Sequence, residues 1–133
     1  MTKSEFIDYL NERSPFNVHN GLKIVELEDD RCTVEAELDR SALNPYEIAH
    51  GGFIYSACDV VSGVLASQGG RCVTQSGSMY YLRPCTGKLL RAEGKIVKSG
   101  HTVMLIETNV YDEKGAHCAR GEFQIYLLDG KRE

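Results

Sequence analysis

Residues 51–67 read GGFIYSACDVVSGVLAS, and this stretch decides the fold. Its side chains are apolar or small almost all the way round a helical projection, which predicts a helix buried on most faces. Such a helix needs cover from the rest of the chain. Residues 71–83, 88–98, 102–111 and 117–128 read as four strands, with turns at Cys85–Gly87, Ser99–Gly100 and Asp112–Gly115. In the last of them Ala119, Gly121, Phe123 and Ile125 alternate with Arg120, Glu122 and Gln124, so one face is apolar and the other polar. Upstream, residues 22–28 and 32–39 read as two more strands joined at Asp29–Asp30, with Val34, Ala36 and Leu38 on the apolar side. Residues 2–13 read as a short helix in which Thr2 and Glu5 form a capping box and Phe6, Ile7 and Leu10 make one stripe. The order predicts an α+β chain: a curved antiparallel sheet wrapped around one long central helix at 51–67. An N-terminal helical segment at 1–18 precedes it, and residues 1–133 form a single domain.

The length of 133 residues supports one sizeable core, and 42% hydrophobic with 26% charged residues is the balance of a folded globular chain. A net charge of −4 argues against a nucleic-acid surface, which needs clustered Lys and Arg, yet leaves room for an anionic ligand held by a few local cations. The opening MTKSEFIDYLNERSPF contains no apolar h-region, and the apolar run near Phe53–Ala66 is broken by Asp59 and too short to span a bilayer. A cytoplasmic protein without membrane contact is therefore expected. Cys32, Cys58, Cys72, Cys85 and Cys118 are widely spaced with no C-x-x-C pair, which favours reduced thiols over a disulfide framework or a zinc knuckle. Four scattered histidines lack metal-ligand spacing, and there is no G-x-S-x-G elbow. No metal is expected.

Asp59 demands an explanation, because it stands mid-helix between Cys58 and Val60. An ionised carboxylate in apolar surroundings costs several kcal/mol unless it is paired or hydrated. Either it faces a solvent gap or caps a backbone amide, or it is held beside a pocket as a general base or nucleophile. The second feature is His50-Gly51-Gly52 at the helix entry. The first amides of a helix have no internal partner, the dipole there favours negative charge, and glycine lets a substrate oxygen approach. That suits an oxyanion site for a thioester carbonyl; a plain tight turn is the alternative.

Gly51 and Asp59 lie eight residues apart in one helix, about 12 Å along its axis and about 80° round it. Both groups of one active site must lie about 3 Å from the reacting centre. A single helix therefore cannot offer both to one substrate, whereas two antiparallel helices related by a two-fold axis can. A homo-oligomer with its site across a dimer interface follows as the expectation.

The run from Asn44-Pro45 through His50-Gly51-Gly52 to Asp59, then Thr74 and Tyr81-Leu82-Arg83-Pro84, resembles the phenylacetate-degradation (PaaI-type) branch of hotdog-fold acyl-CoA thioesterases. The resemblance extends from about residue 19 to 128 and implies the hotdog fold, hydrolysis of an acyl-CoA to free acid and CoA, no organic cofactor, and dimers that pair into tetramers. It implies Asp59 as nucleophile or general base and the Gly51 amide as the donor to the thioester carbonyl. Asn44 then places the carbonyl or the water, His50 stands near the sulfur, and Thr74 hydrogen-bonds the water or the acid. Taken alone, Asn44-Pro45 is a turn signal and His50 a histidine capping a helix start. Gly52 joins Gly51 as a candidate substrate contact. For the CoA phosphates, Arg83, Arg91, Lys95, Lys98 and His101 stand on or near strand ends; Arg83 is the first candidate, with Lys98 also retained. Tyr81, with Tyr46, Phe53, Tyr55 and Tyr80, is a candidate lining for the acyl group, although strand tyrosines also serve ordinary cores. Two rival readings are a non-hydrolytic acyl-CoA-binding hotdog protein and a hotdog hydratase acting on enoyl or 3-hydroxyacyl thioesters.

Overall fold

The computed structural model describes residues 1–130. Helix α1 spans Lys3–Arg13 and begins with the predicted capping box: Glu5 N donates to Thr2 Oγ1 at 3.1 Å and Thr2 N donates to Glu5 Oε1 at 2.9 Å. A second helix, α2 at Pro15–Asn20, was not predicted. Ser14 caps it, Pro15 occupies its first turn, and Gly21 ends it in the left-handed region at φ 66°. Those signals stand in the sequence, but a helix of six residues is too short to show a periodicity.

The remaining elements fall within two residues of their predicted ends: β1 Lys23–Leu27, β2 Arg31–Glu37, α3 Gly51–Ala66, β3 Cys72–Tyr81, β4 Leu89–Ser99, β5 Val103–Asp112 and β6 His117–Leu127. The strands form one antiparallel sheet in the order β1-β2-β4-β5-β6-β3. Strand β3 leaves the end of α3 and crosses to the far edge, beside β6. Alternation does what the pattern requires: Ala119, Gly121, Phe123 and Ile125 are buried while Arg120, Glu122 and Gln124 face water. Val34, Leu90, Ile106, Val110 and Phe123 of the sheet and Ala57, Cys58, Val61 and Leu65 of α3 are all buried in one core. Each large side chain buried there contributes about 1.5–3 kcal/mol. This is the hotdog architecture.

The expectation that α3 is covered on most faces does not hold. The sheet covers one side, and Phe53, Ser56, Asp59, Val60 and Gly63 remain only half-buried. A single sheet touches a straight helix along one stripe, and small or polar residues opposite that stripe tolerate water. Edge strand β3 is open too, since all its residues except Cys72 and Met79 are exposed. It also carries a β-bulge: Thr74 pairs with Ile125 and Ser76 with Gln124, leaving Gln75 as the extra residue. All five cysteines are unbridged. Among the described residues no helix is long and apolar enough to cross a membrane.

Candidate active site

The entry to α3 leaves one donor unspent. His50 is its N-cap, in an extended conformation at φ −64°, ψ 136°, and the Gly52 amide donates to its ring Nδ1 at 2.8 Å. The amides of Phe53 and Ile54 both donate to the His50 carbonyl, at 3.0 and 3.1 Å. Of the first four amides in the helix, only that of Gly51 has no partner among the described residues. It points a free N–H out of the positive end of the helix dipole. The expectation that Gly52 joins Gly51 as a substrate contact meets an obstacle here, because the His50 ring already occupies the Gly52 amide. With Nδ1 accepting, the neutral His50 ring carries its proton on Nε2.

The surroundings of Gly51 hold that amide in place. Tyr81 Oη donates to the Gly51 carbonyl at 2.8 Å, and its ring atoms lie 3.2–3.4 Å from where a Gly51 Cβ would stand. Burial, reinforced by Cys58 and Tyr55 nearby, pushes the Tyr81 phenol above its ordinary range, so the hydroxyl remains a donor at neutral pH. Tyr81 thus fastens the helix start. Asn44 Oδ1 accepts from the amides of Tyr46 at 2.9 Å and Ile48 at 3.4 Å, which is the turn role its dipeptide predicts. Its Nδ2 has no partner among the described residues and is the part left to a ligand. Asn44, Gly51, Tyr81 and Arg83 line one cleft of about 310 Å³, together with Ile48, Ile54 and Pro84. Arg83 is exposed and pairs with no carboxylate among the described residues.

Two turns further along α3 the Asp59 carboxylate accepts from Thr74 Oγ1 at 2.6 Å through Oδ1. Asp59 is half-buried, which corrects the expectation of an oily enclosure: the helix flank is open there. Asp59 and Thr74 line a second cleft, of about 320 Å³, with Val60, Gly63 and Val64 on one side and Leu10, Ser14 and Asn17 of the N-terminal helices on the other. Gly51 and Asp59 of one chain therefore open onto different clefts. Neighbouring Cys58 is fully buried, and burial above all pushes its thiol up to about 12, so it supplies no thiolate.

The structure separates Lys98 from this group. Strand β4 pairs Leu90 with Asp112 at one end and Lys98 with Leu105 at the other. The Arg83 amide donates to the Cys118 carbonyl, near the Leu90 end. Eight residues of strand, about 26 Å, lie between Leu90 and Lys98, so Arg83 and Lys98 of one chain cannot hold the same phosphates. Asn17, which lines the cleft beside Asp59, carries no signal in the sequence. Among the described residues no group of three or more His, Cys, Asp or Glu side chains is placed to hold a metal.

Known proteins share this fold and part of this sequence. The family model described as "Thioesterase superfamily" matches residues 46–119, which include His50, Gly51, Asp59, Thr74, Tyr81 and Arg83. The structure of smu.793 from Streptococcus mutans, solved bound to acetyl-CoA, is 30% identical over 84% of this chain and 91% of that one, with a TM-score of 0.76. The proofreading thioesterase EntH of Klebsiella pneumoniae is 28% identical over 105 residues, 75% of this chain and 76% of that protein. The PaaI protein of the E. coli phenylacetic acid degradation operon superposes with a TM-score of 0.86 over 93% of this chain and 91% of its own; at 18% identity it shows the shared fold. The matched family segment holds both the free amide at the head of α3 and the carboxylate two turns along it, and the chain belongs to the thioesterase superfamily.

Proposed function

We propose that this protein hydrolyses an acyl-CoA thioester to a free acid and CoA, as a single-domain enzyme of the PaaI-type branch, in sites shared between two subunits. The observation that carries the reading is the unspent Gly51 amide at the head of a helix whose Asp59 opens onto a different cleft. An antiparallel partner helix brings Asp59 of one subunit to the thioester held at the Gly51 end of the other. The half-open flank of α3 and the exposed edge strand β3 are surfaces that such a partner covers.

The chemistry then divides among named groups. The thioester carbonyl oxygen accepts from the Gly51 N–H, which stabilises the negative charge that develops on it. Asn44 Nδ2 orients the carbonyl or the attacking water. Asp59 either takes a proton from that water or attacks the carbonyl carbon itself, and Thr74 fixes its orientation in both cases. When the tetrahedral intermediate collapses, the carbon–sulfur bond breaks and the thiolate leaves, held by a hydrogen bond from His50 Nε2–H and protonated from solvent; where Asp59 is the nucleophile, water then cleaves the acyl–Asp59 anhydride and releases the acid. Arg83 meets the phosphates of CoA. The ligand of smu.793 and the activity named for EntH support the substrate class.

Complementation tests the shared site. Asp59→Asn and Gly51→Pro are each expected to be inactive alone. Co-expressed as mixed dimers, they regain about a quarter of wild-type activity, since half of the dimers are mixed and each has one intact site of two. Thiol release from acyl-CoA by the single variants and the mixture decides the matter. A mixture as inactive as its parts places Gly51 and Asp59 in one subunit's site and ends the proposal of shared sites.

A further inference from the structure

The cleft beside Asp59 contains a polar group with nothing to bind. Asn17 of α2 is only 8% exposed. Its backbone is fully used: its amide donates to Ser14 Oγ at 3.5 Å, and its carbonyl accepts from the amides of Gly21 and of Leu22, the latter at 2.9 Å. Its carboxamide makes no hydrogen bond among the described residues, and Asn17 lines the cleft together with Asp59 and Thr74. It is not sealed off either, because no Asn17 side-chain atom is both fully enclosed and without a partner. The cleft beside Asp59 is open space that Asn17 borders. A buried amide left unpaired is costly, and a ligand that pairs it recovers that cost.

The shape of the cleft says what such a ligand is. Gly63 follows Asp59 by one helical turn, about 6 Å along the axis, and a Cβ there would meet nothing within 4 Å. Space therefore continues from the carboxylate over Gly63 and beneath α1 and α2. Leu10, Val60 and Val64 give it apolar walls, and among the described residues no Lys, Arg or His lines it, so a carboxylate on the acyl group meets no cation there and faces Asp59. A carboxamide offers both a donor and an acceptor to a neutral group.

Resting on the thioesterase reading above, we propose that Asn17 is a specificity-determining residue. It reads a neutral hydrogen-bonding substituent, a hydroxyl or a carbonyl, on the otherwise apolar acyl portion of the thioester. Recognition of this kind discriminates strongly against the analogue lacking the group, because the site is then left unpaired. The reader lies in the N-terminal helices, outside the segment that carries the family match.

Matched pairs test this: 4-hydroxybenzoyl-CoA against benzoyl-CoA, and 5-hydroxyhexanoyl-CoA against hexanoyl-CoA. The wild type is expected to favour the hydroxylated member of at least one pair by tenfold or more in kcat/KM, chiefly through KM. Asn17→Leu is expected to bring that ratio to within threefold of one. Should Asn17→Leu fail to fold, Asn17→Ala removes the donor and the acceptor together with less bulk and must lower the ratio as well. Calorimetric binding of the corresponding non-hydrolysable thioether analogues reads the same preference without catalysis. Preference in binding without thiol release defeats the thioesterase reading alone. Ratios near one for the wild type in both pairs, or a ratio that survives both substitutions, overturn the role of Asn17.

Discussion

Thr74 Oγ1 donates to Asp59 Oδ1 across 2.6 Å and so ties the edge of the sheet to the middle of α3. The hydroxyl that makes this bond belongs to an exposed strand residue, and it leaves the second oxygen of the carboxylate facing the cleft. Removing the hydroxyl frees the carboxylate to rotate away from the reacting carbon. Thr74→Val is expected to lower kcat by about 10- to 100-fold, the upper end being the loss that a misplacement of about 1 Å can cause. Thr74→Ser, which keeps the hydroxyl, retains most of the activity. Steady-state thiol release compares the two; equal losses in both would assign Thr74 to packing.

Asp59→Asn keeps the shape and the contact with Thr74 but loses the charge. It is expected to cut kcat by at least about 100-fold while leaving the circular dichroism spectrum unchanged. Turnover near the wild-type rate would remove Asp59 from the reaction.

Gly51 permits a cleaner experiment than most backbone donors. It is the first residue of α3, where proline is well tolerated, and His50 before it already has the extended conformation that a following proline requires. Gly51→Pro deletes the free N–H; Gly51→Ala keeps it while adding a Cβ against the Tyr81 ring. The proline variant is expected to fall below the alanine variant in kcat by about 100-fold or more, the usual worth of one oxyanion donor. Indistinguishable values would mean that the amide does not touch the developing charge.

Arg83→Ala is expected to raise KM for CoA esters more than it changes kcat, because a contact to a remote phosphate is made equally in ground and transition states. Initial-rate kinetics on a single ester, repeated at low and high salt, reports it. An unchanged KM takes Arg83 off the phosphate.

Burial pushes the thiols of Cys32 and Cys58 up to about 12. A raised value means that the protonated form persists until the pH approaches 12, so at pH 8 the reactive thiolate is only about 1 part in 10⁴. Peptide mapping after iodoacetamide treatment at pH 8 is expected to find both residues unmodified in the folded protein. Both become labelled once it is unfolded in guanidinium.

The strands were legible because a half-buried sheet writes its two faces into alternate residues, as in Ala119 to Ile125. The separation of Gly51 from Asp59 was legible because helical rise is the same in every sequence. Other features depend on tertiary placement and leave no local mark. Which amide at the head of α3 stays free depends on the His50 ring turning back onto Gly52. The half-open flank of α3 follows from how far one sheet can wrap. Asn17 sits in a helix too short to announce itself, and nothing in its neighbours says that its side chain turns inward. Thr74 came forward only through family resemblance, since a strand exposed along nearly its whole length shows no alternation to count.

The extra residue in β3 sets a parity that mere identity of residues does not. Thr74 and Tyr81 are seven positions apart and on a regular strand would look in opposite directions; with Gln75 looped out, they stand opposite the inward-facing Ile125 and Ala119 and both meet α3. One strand thereby anchors both the carboxylate and the helix start, and excising Gln75 alone would turn one anchor outward with every side chain of the pair still present.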